Sequence, residues 1–230
     1  MIPLRDDNPS NSTPFVTYAF IALCVLVFLW QFSLGDGGGQ RAIYSLGVIP
    51  AVLLGNAHLP PELAVVPPTA TVLTSMFMHG GWMHLIGNML YLWIFGDNVE
   101  DSMGHVRYLV FYLLCGVAAV MAQALPAPNS EIPMVGASGA ISGVLGAYVL
   151  LHPHAKVLVA VPLGFILQMV RLPAGLVLAL WFGLQLFSNL MSQGGGGGVA
   201  FRAHIGGFVA GMLLVGIFKR RNVRLFAPAR

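Results

Sequence analysis

The sequence is poor in charged residues and in cysteine. Asp, Glu, Lys and Arg make up 8% of the 230 residues, whereas 57% are hydrophobic; an average soluble domain has roughly 25% charged residues. This balance excludes an ordinary water-soluble domain. The two cysteines, Cys24 and Cys115, lie inside apolar runs, where a thiol is typically a small packing residue and neither half of a disulfide nor a metal ligand.

Apolar runs extend along nearly the whole chain, so we interpret residues 1–230 as a single membrane domain. Within it we expect residues 1–14 to be a cytoplasmic N-terminal segment, residues 35–70 a loop that packs on the membrane surface, and residues 219–230 a basic cytoplasmic tail. The other basic residues are dispersed, which membrane topology explains better than a nucleic-acid partner does.

Six stretches are candidates for membrane-spanning helices, because crossing a hydrocarbon core takes about 20 apolar helical residues. They cover residues 15–34, 76–96, 105–125, 136–151, 172–190 and 202–218. The predicted fold is therefore an all-α, six-helix membrane bundle. If the spans alternate, nine of the eleven Lys and Arg residues lie on the side of the N-terminus. Because positive residues are retained in the cytoplasm, both termini are predicted to be cytoplasmic.

Polar side chains inside these spans gather at one level, near the predicted outer surface. Ser138 lies in VGASGAISG at the start of the fourth span, and His204 lies in RAHIGGFVAG at the start of the sixth. His84 and Asn88 lie in HGGWMHLIGN near the start of the second. An ionisable residue inside a span marks a candidate functional site. The fourth span covers only about 24 Å, so Ser138 is expected below the membrane surface.

Glycines predict which helices meet. Gly139 and Gly143 in the fourth span and Gly207 and Gly211 in the sixth are pairs four residues apart, a spacing at which small residues allow close helix contact. His204 shares a helical face with the glycines of its own span. We therefore expect the fourth and sixth spans to pack closely and to bring the histidine to the serine.

A serine next to a histidine can perform acyl transfer, because the imidazole takes the hydroxyl proton and makes the oxygen a nucleophile. Ser138 is the predicted nucleophile and His204 the predicted base. Acyl transfer also needs donors directed at the developing oxyanion. The Asn88 amide, His84 and the backbone N–H of Ser138 are the candidates.

A third, acidic catalytic residue is not predicted, which leaves a Ser/His dyad. The eight carboxylates map to loops or to the cytoplasmic side: Asp6, Asp7, Asp36, Glu62, Asp97, Glu100, Asp101 and Glu131. This distribution argues against an aspartyl intramembrane protease, which needs two carboxylates within the bundle. The sequence also lacks HExxH, which argues against a zinc protease. We expect neither a metal nor a cofactor.

Three segments together resemble the rhomboid family of intramembrane serine proteases: HGGWMHLIGN, GASG around Ser138 and AHIGG around His204, in that order. The resemblance covers residues 70–218. It implies a bacterial-type, six-helix core that cleaves transmembrane substrates near their membrane entry. We expect a multi-pass protein of the cell membrane, with its active site opening to the extracytoplasmic side.

The resemblance also implies a laterally mobile fifth helix, matched by residues 172–190, and a flexible cap, matched by the glycine run 194–198. Family members often carry an aromatic residue four positions after the serine, stacked beneath the histidine. Here that position is Ser142, so the group that orients His204 is left open. Supporting roles are expected for His79, Gly136, Gly139 and Ser142, and Glu100 resembles a structural acid on the cytoplasmic side.

Two other functions compete with proteolysis. A catalytically silent relative that binds and escorts membrane helices would usually lack the serine or the histidine. A small transporter or channel would carry ionisable groups at several depths. The predicted partners are transmembrane protein substrates and the lipid bilayer, whereas substrate identity and oligomeric state are not readable from the sequence.

Overall fold

The structure is a computed structural model that describes residues 2–163, 166–191 and 200–226. The glycine run 194–198, matched above to a flexible cap, lies outside the described residues. The helices are α1 (Phe15–Ser33), α2 (Gly35–Leu46), α3 (Pro50–Leu53), α4 (Thr71–Thr74), α5 (Trp82–Met103), α6 (His105–Ala124), α7 (Ser138–Leu151), α8 (Ala174–Met191) and α9 (Phe201–Phe218). The strands are β1 (Ile2–Asp6), β2 (Lys156–Leu163) and β3 (Ile166–Pro173).

Each of the six predicted spans overlaps a helix, namely α1 and α5 to α9. Within the described ranges, three helices are long and apolar enough to cross a bilayer: Phe15–Ser33, His105–Ala124 and Phe201–Phe218. Two shorter apolar helices cover Ser138–Leu151 and Ala174–Ser188. Large apolar side chains are exposed along the outer faces of α1, α6, α8 and α9, as expected for helices that contact lipid. The six-span count itself stays a prediction.

The predicted start of the second span is wrong. Residues 75–77 form a short 3-10 turn, and α5 begins only at Trp82 and continues to Met103. Gly80 and Gly81 precede the helix, and glycine opposes helix formation. The far end continues past the apolar stretch because its polar groups find partners there: the Asn98 amide, for example, donates to the Asn8 carbonyl at 3.0 Å.

The loop predicted at residues 35–70 contains regular structure. Residues 35–46 form α2 despite four glycines in its first five positions, which by propensity alone would oppose a helix. Packing decides here, since Ala42 and Ser45 are buried. The placement of residues 35–70 on the membrane surface stays a prediction.

A three-stranded antiparallel sheet, in the order β1-β2-β3, was not predicted. Strand β1 comes from the N-terminal segment and pairs Ile2 with Ala160, while β2 and β3 form a hairpin. In β2, Val157 and Val159 are fully buried while Leu158 is not, the alternation of a half-buried strand. The description of the chain as all-α is therefore corrected to a mostly helical bundle with a small sheet.

The predicted close packing of the fourth and sixth spans is confirmed. A Cβ atom on Gly207 would overlap the Gly139 carbonyl oxygen, and one on Gly211 would overlap the Gly143 carbonyl oxygen. A Cβ on Gly146 would likewise overlap the Phe208 carbonyl oxygen. Helices α7 and α9 thus approach backbone to backbone, which only glycine permits at these positions.

The sheet lies at one end of the bundle, together with the C-terminal ends of α5 and α7 and the start of α1. We call this end of the bundle the sheet end. Glu100 is fully buried there and accepts hydrogen bonds from the N–H groups of Val16 and Thr17 at 2.9 and 2.8 Å. The Thr17 hydroxyl also donates to Glu100 at 2.7 Å, and His105 Nδ1 lies 2.6 Å from Glu100 Oε1. A carboxylate at a helix N-terminus satisfies N–H groups that otherwise lack partners, so Glu100 has the structural role expected of it.

Candidate active site

Ser138 is the first residue of α7, at the opposite end of the bundle from the sheet. Gly136, two residues earlier, has a φ of +130°, a conformation that side-chain-bearing residues rarely adopt. Its N–H donates to the Ser75 carbonyl oxygen at 2.9 Å. Just upstream, Met134 and Val48 form an antiparallel bridge, so the turn that presents Ser138 is braced by the connection after α1.

The side chains of Ser138 and His204 are in direct contact. His204 Nε2 lies 2.8 Å from Ser138 Oγ, and His204 is only 9% exposed. The two residues are 66 positions apart, and the glycine contacts between α7 and α9 bring them together. The arrangement allows the serine hydroxyl to donate a hydrogen bond to an unprotonated Nε2, which is the ground-state geometry of nucleophile activation.

Gln185 of α8 is a site residue that sequence reasoning missed. Its Oε1 lies 2.8 Å from His204 Nδ1, on the side of the ring opposite Ser138. Trp181, one turn earlier on the same helix, has its ring centroid 6.0 Å from that of His204. A signal was available, because Gln185 is a polar residue within the apolar run AGLVLALWFGLQLF and such residues mark candidate sites.

His84 is placed beside Ser138. Its Nδ1 lies 3.3 Å from the Gly80 N–H, which donates to it, so the ring proton is on Nε2. A Cβ atom on Gly136 would lie 2.7 Å from His84 Nε2 and 3.5 Å from Ser138 Oγ. The Nε2–H donor therefore lies against the turn that precedes Ser138, and glycine at position 136 leaves room for it.

Asn88 follows His84 by one turn on α5 and is 6% exposed. Its Nδ2 atom is buried and has no hydrogen-bond partner among the described residues. Leaving a buried amide donor unpaired costs about 1–3 kcal/mol, so this group is either a source of strain or a donor reserved for a ligand. The second possibility agrees with the oxyanion role predicted for it.

His79 is fully buried and contacts His84, not Ser138. Its ring centroid lies 5.2 Å from that of His84, in an edge-on arrangement. The Gln31 amide of α1 donates to the His79 carbonyl oxygen at 2.7 Å, and His79 Nδ1 lies 3.3 Å from the Phe77 carbonyl oxygen. His79 is thus fixed by its own loop and by α1, and among the described residues the site side chain that its ring contacts is His84.

The remaining predicted residues, Gly139 and Ser142, lie within α7. A Cβ on Gly139 would lie 2.6 Å from Ala119 Cβ of α6, so this glycine permits helix packing. The Ser142 hydroxyl donates to the Ser138 carbonyl oxygen at 2.6 Å. Ser142 is therefore satisfied within its own helix and gives His204 no support.

The described residues contain no group of three or more His, Cys, Asp and Glu side chains that could hold a metal ion. Among the described residues, the side chains hydrogen-bonded to His204 are Ser138 and Gln185, both neutral. Three carboxylates instead have partners at the sheet end. Tyr148 donates to Asp6, and Asn11 and Ser12 donate to Asp101. The backbone N–H of Thr17 in α1 donates to Glu100.

Residues 68–221 match the model of the Rhomboid domain. The chain is 31% identical to the Rhomboid protease GluP of Bacillus subtilis, over 92% of this chain and 38% of the relative. It is 30% identical to the mitochondrial Rhomboid protein 1 of Saccharomyces cerevisiae, over 70% of this chain and 46% of the relative.

A further match, at 31% identity, is the chloroplastic Rhomboid-like protein 11 of Arabidopsis thaliana, over 64% of this chain and 51% of the relative. The chain thus spans between about two fifths and one half of the length of these curated relatives. The matched region includes the site residues on α5, α7, α8 and α9. On this domain match and these identities, the chain belongs to the rhomboid family of multi-pass membrane proteins.

Proposed function

We propose that the protein is an intramembrane serine endopeptidase that cleaves transmembrane-segment substrates with a Ser138/His204 pair. The observation that carries the proposal is the 2.8 Å contact between Ser138 Oγ and His204 Nε2 in a buried setting. Similarity to a named protease supports the proposal as well, since GluP of Bacillus subtilis bears the name of a rhomboid protease.

The chemistry follows from this contact. His204 Nε2 accepts the hydroxyl proton as Ser138 Oγ attacks the scissile carbonyl carbon, giving a tetrahedral oxyanion and an imidazolium. The imidazolium returns the proton to the leaving amine as the peptide C–N bond breaks. Water, deprotonated by the same ring, then hydrolyses the acyl-serine ester and restores the free serine. No step requires a metal or a cofactor.

Three donors are available for the oxyanion: His84 Nε2–H, the Asn88 amide and the Ser138 backbone N–H. The first N–H groups of a helix have no partner within the helix, and Ser138 is the first residue of α7. The buried, unpaired Asn88 Nδ2 supports this role. Donors of this kind act most strongly where water is excluded.

The proposed setting is a cell membrane crossed by six helices, with both termini cytoplasmic and the active site opening to the extracytoplasmic side. The distribution of Lys and Arg supports this orientation. Substrates would be single-pass proteins cleaved near their entry into the bilayer, because Ser138 lies at the start of a helix of only 14 residues.

Labelling with a serine-directed fluorophosphonate tests the nucleophile without a known substrate, and cleavage of a single-pass reporter in liposomes tests the reaction. The native chain should label and cleave, whereas Ser138→Ala and His204→Ala should do neither. Ser33→Ala and His58→Ala are matched controls, since Ser33 donates to the Trp30 carbonyl within α1 and His58 is exposed in the connection after α1.

Full labelling and cleavage by Ser138→Ala would contradict the proposal. A native chain that binds transmembrane peptides but neither labels nor cleaves would instead be a catalytically silent helix binder.

A further inference from the structure

The imidazole of His204 is held from both sides by neutral groups on different helices. Ser138 Oγ of α7 lies 2.8 Å from Nε2, and Gln185 Oε1 of α8 lies 2.8 Å from Nδ1. A neutral imidazole carries one ring proton. If Nε2 is to accept the serine proton, that ring proton must be on Nδ1, where it needs an acceptor.

We propose that Gln185 is the positioning residue of His204: its amide oxygen accepts the Nδ1–H hydrogen bond and so fixes the tautomer and orientation of the base. The inference rests on the proposed function and adds a third member, Ser138–His204–Gln185, to the expected dyad. It also says what orients His204. Ser142 does not do so, because its hydroxyl donates to the Ser138 carbonyl oxygen.

An amide suits this position better than a carboxylate. Burying an unpaired charge in an apolar bundle is costly, and Gln185 lies in the apolar helix α8, one turn after Trp181. A neutral acceptor fixes the tautomer without that cost. It stabilises the imidazolium less than a carboxylate would, because hydrogen bonds between ions are stronger than those of a neutral amide.

Because Gln185 belongs to α8, its contact with His204 depends on how α8 packs against α9. Helix α8 packs on α9 through Phe182, whose ring stacks on Phe208 with centroids 4.5 Å apart. The opposite face of α8 exposes large apolar side chains such as Leu184 and Phe187. A displacement of α8 away from α9 would therefore remove the acceptor from His204.

Among the described residues, the side chains around His204 that belong to α6, α7 and α8 are neutral. Ser138 and Gln185 are neutral, and the titratable side chain of α5 at the site is His84, whose Nε2 lies against Gly136 beside Ser138. On α6, Gln123 is also neutral and accepts from the Ala203 N–H at 3.3 Å. A carboxylate placed at position 185 would thus be the nearest anion to the imidazole.

The test compares fluorophosphonate labelling rates across pH for the native chain, Gln185→Leu, Gln185→Glu and the control Gln123→Leu. Gln185→Leu should label roughly 10- to 100-fold more slowly. This loss is smaller than the ~10⁴-fold loss in a serine protease triad when the carboxylate is replaced by an amide and the histidine adopts the wrong tautomer. Gln185→Glu should recover part of the rate, with the acid limb of its pH profile moved to higher pH because a carboxylate favours the protonated ring. Gln123→Leu should lower thermal stability without moving the pH profile.

The tautomer can be read directly by ¹⁵N NMR of the histidine side chains, with the His204 signals identified by their loss in His204→Ala. The native ring should be protonated at Nδ1, and Gln185→Leu should give a mixture of tautomers. A native ring protonated at Nε2, or Gln185→Leu with native labelling and an unchanged tautomer, would overturn the inference. If the native chain does not label at all, the proposed function fails, whereas the tautomer measurement still decides the role of Gln185.

Discussion

At the scale of single residues, the site combines side chains that hydrogen-bond to one another with buried polar atoms that have no partner among the described residues. Ser138, His204 and Gln185 form a continuous chain of contacts, and Ser142 is satisfied within α7. Asn88 Nδ2 is a buried donor with no partner in the described part of the chain, and His79 Nε2 is another buried side-chain atom without one. An unpaired buried donor one helical turn from His84 is a good candidate for binding a developing charge.

We expect Asn88→Ala to slow reporter cleavage by about 10²- to 10³-fold, the usual effect of losing one oxyanion donor. Its thermal stability should be unchanged or slightly higher, because the substitution removes an unpaired buried amide. Thermal unfolding and cleavage rates measured on the same preparation check both statements.

Asn98→Ala is the matched control on the same helix. Asn98 is also buried, but its amide donates to the Asn8 carbonyl at the sheet end. Its loss should reduce stability by about 1 kcal/mol and leave the cleavage rate of folded protein unchanged. If Asn88→Ala cleaved at the native rate, Asn88 would be a packing residue and not an oxyanion donor.

At the scale of helices, the site depends on how closely α7 and α9 approach. Gly207 lies one turn after His204, and its missing side chain leaves space for the Gly139 carbonyl oxygen. Helix periodicity places Gly207 and His204 on one face, so the contact that brings the backbones together also sets the position of the imidazole.

Gly207→Ala should destabilise the protein by about 1–3 kcal/mol, the usual cost of overpacking, and should strongly reduce labelling of Ser138 because the two helices must separate. Gly216→Ala on the same helix is the control, since a Cβ there meets nothing within 4 Å. It should be neutral or slightly stabilising, because alanine favours helix more than glycine does. Thermal unfolding and fluorophosphonate labelling measure both. Native labelling by Gly207→Ala would show that the close contact is not needed to form the pair.

At the scale of the whole molecule, the N-terminal segment packs at the sheet end of the bundle, opposite the candidate site. Strand β1 pairs with β2, and the Tyr148 hydroxyl of α7 donates to the Asp6 carboxyl group. Burial raises the pKa of Asp6 from 3.8 to about 7; the nearby charges of Asp97 and Asp7 act in the same direction, while the Tyr148 hydrogen bond opposes them.

A raised pKa in the folded state means that folded protein holds the Asp6 proton more tightly than unfolded protein does between about pH 4 and pH 7. Stability from this group is therefore present at low pH and declines as the pH rises through that window. Asp6→Asn keeps an acceptor for Tyr148 and removes the titration. Its unfolding temperature relative to native protein should rise from pH 5 to pH 8, and a constant difference over this range would contradict the prediction.

The sequence by itself predicted the six longest helices and the contact between Ser138 and His204. Apolar runs mark the helices because the bilayer demands them, and the glycine spacing of two of these helices indicated their contact. The sequence did not reveal the start of α5, the helix α2 or the sheet. In these regions local preference is weak or contrary, and contacts with distant segments decide the structure, as when β1 pairs with β2.

Only the tertiary structure decided what holds the base. Periodicity gives the face on which a residue lies but not the neighbour it meets, so the approach of Gln185 to His204 depends on how α8 docks against α9. The same holds for His79, which supports His84 and does not reach the serine. In a membrane sequence with few polar residues, those inside the spans are candidate site members, but which of them contact one another is set by the packing of the helices, as the missed Gln185 shows.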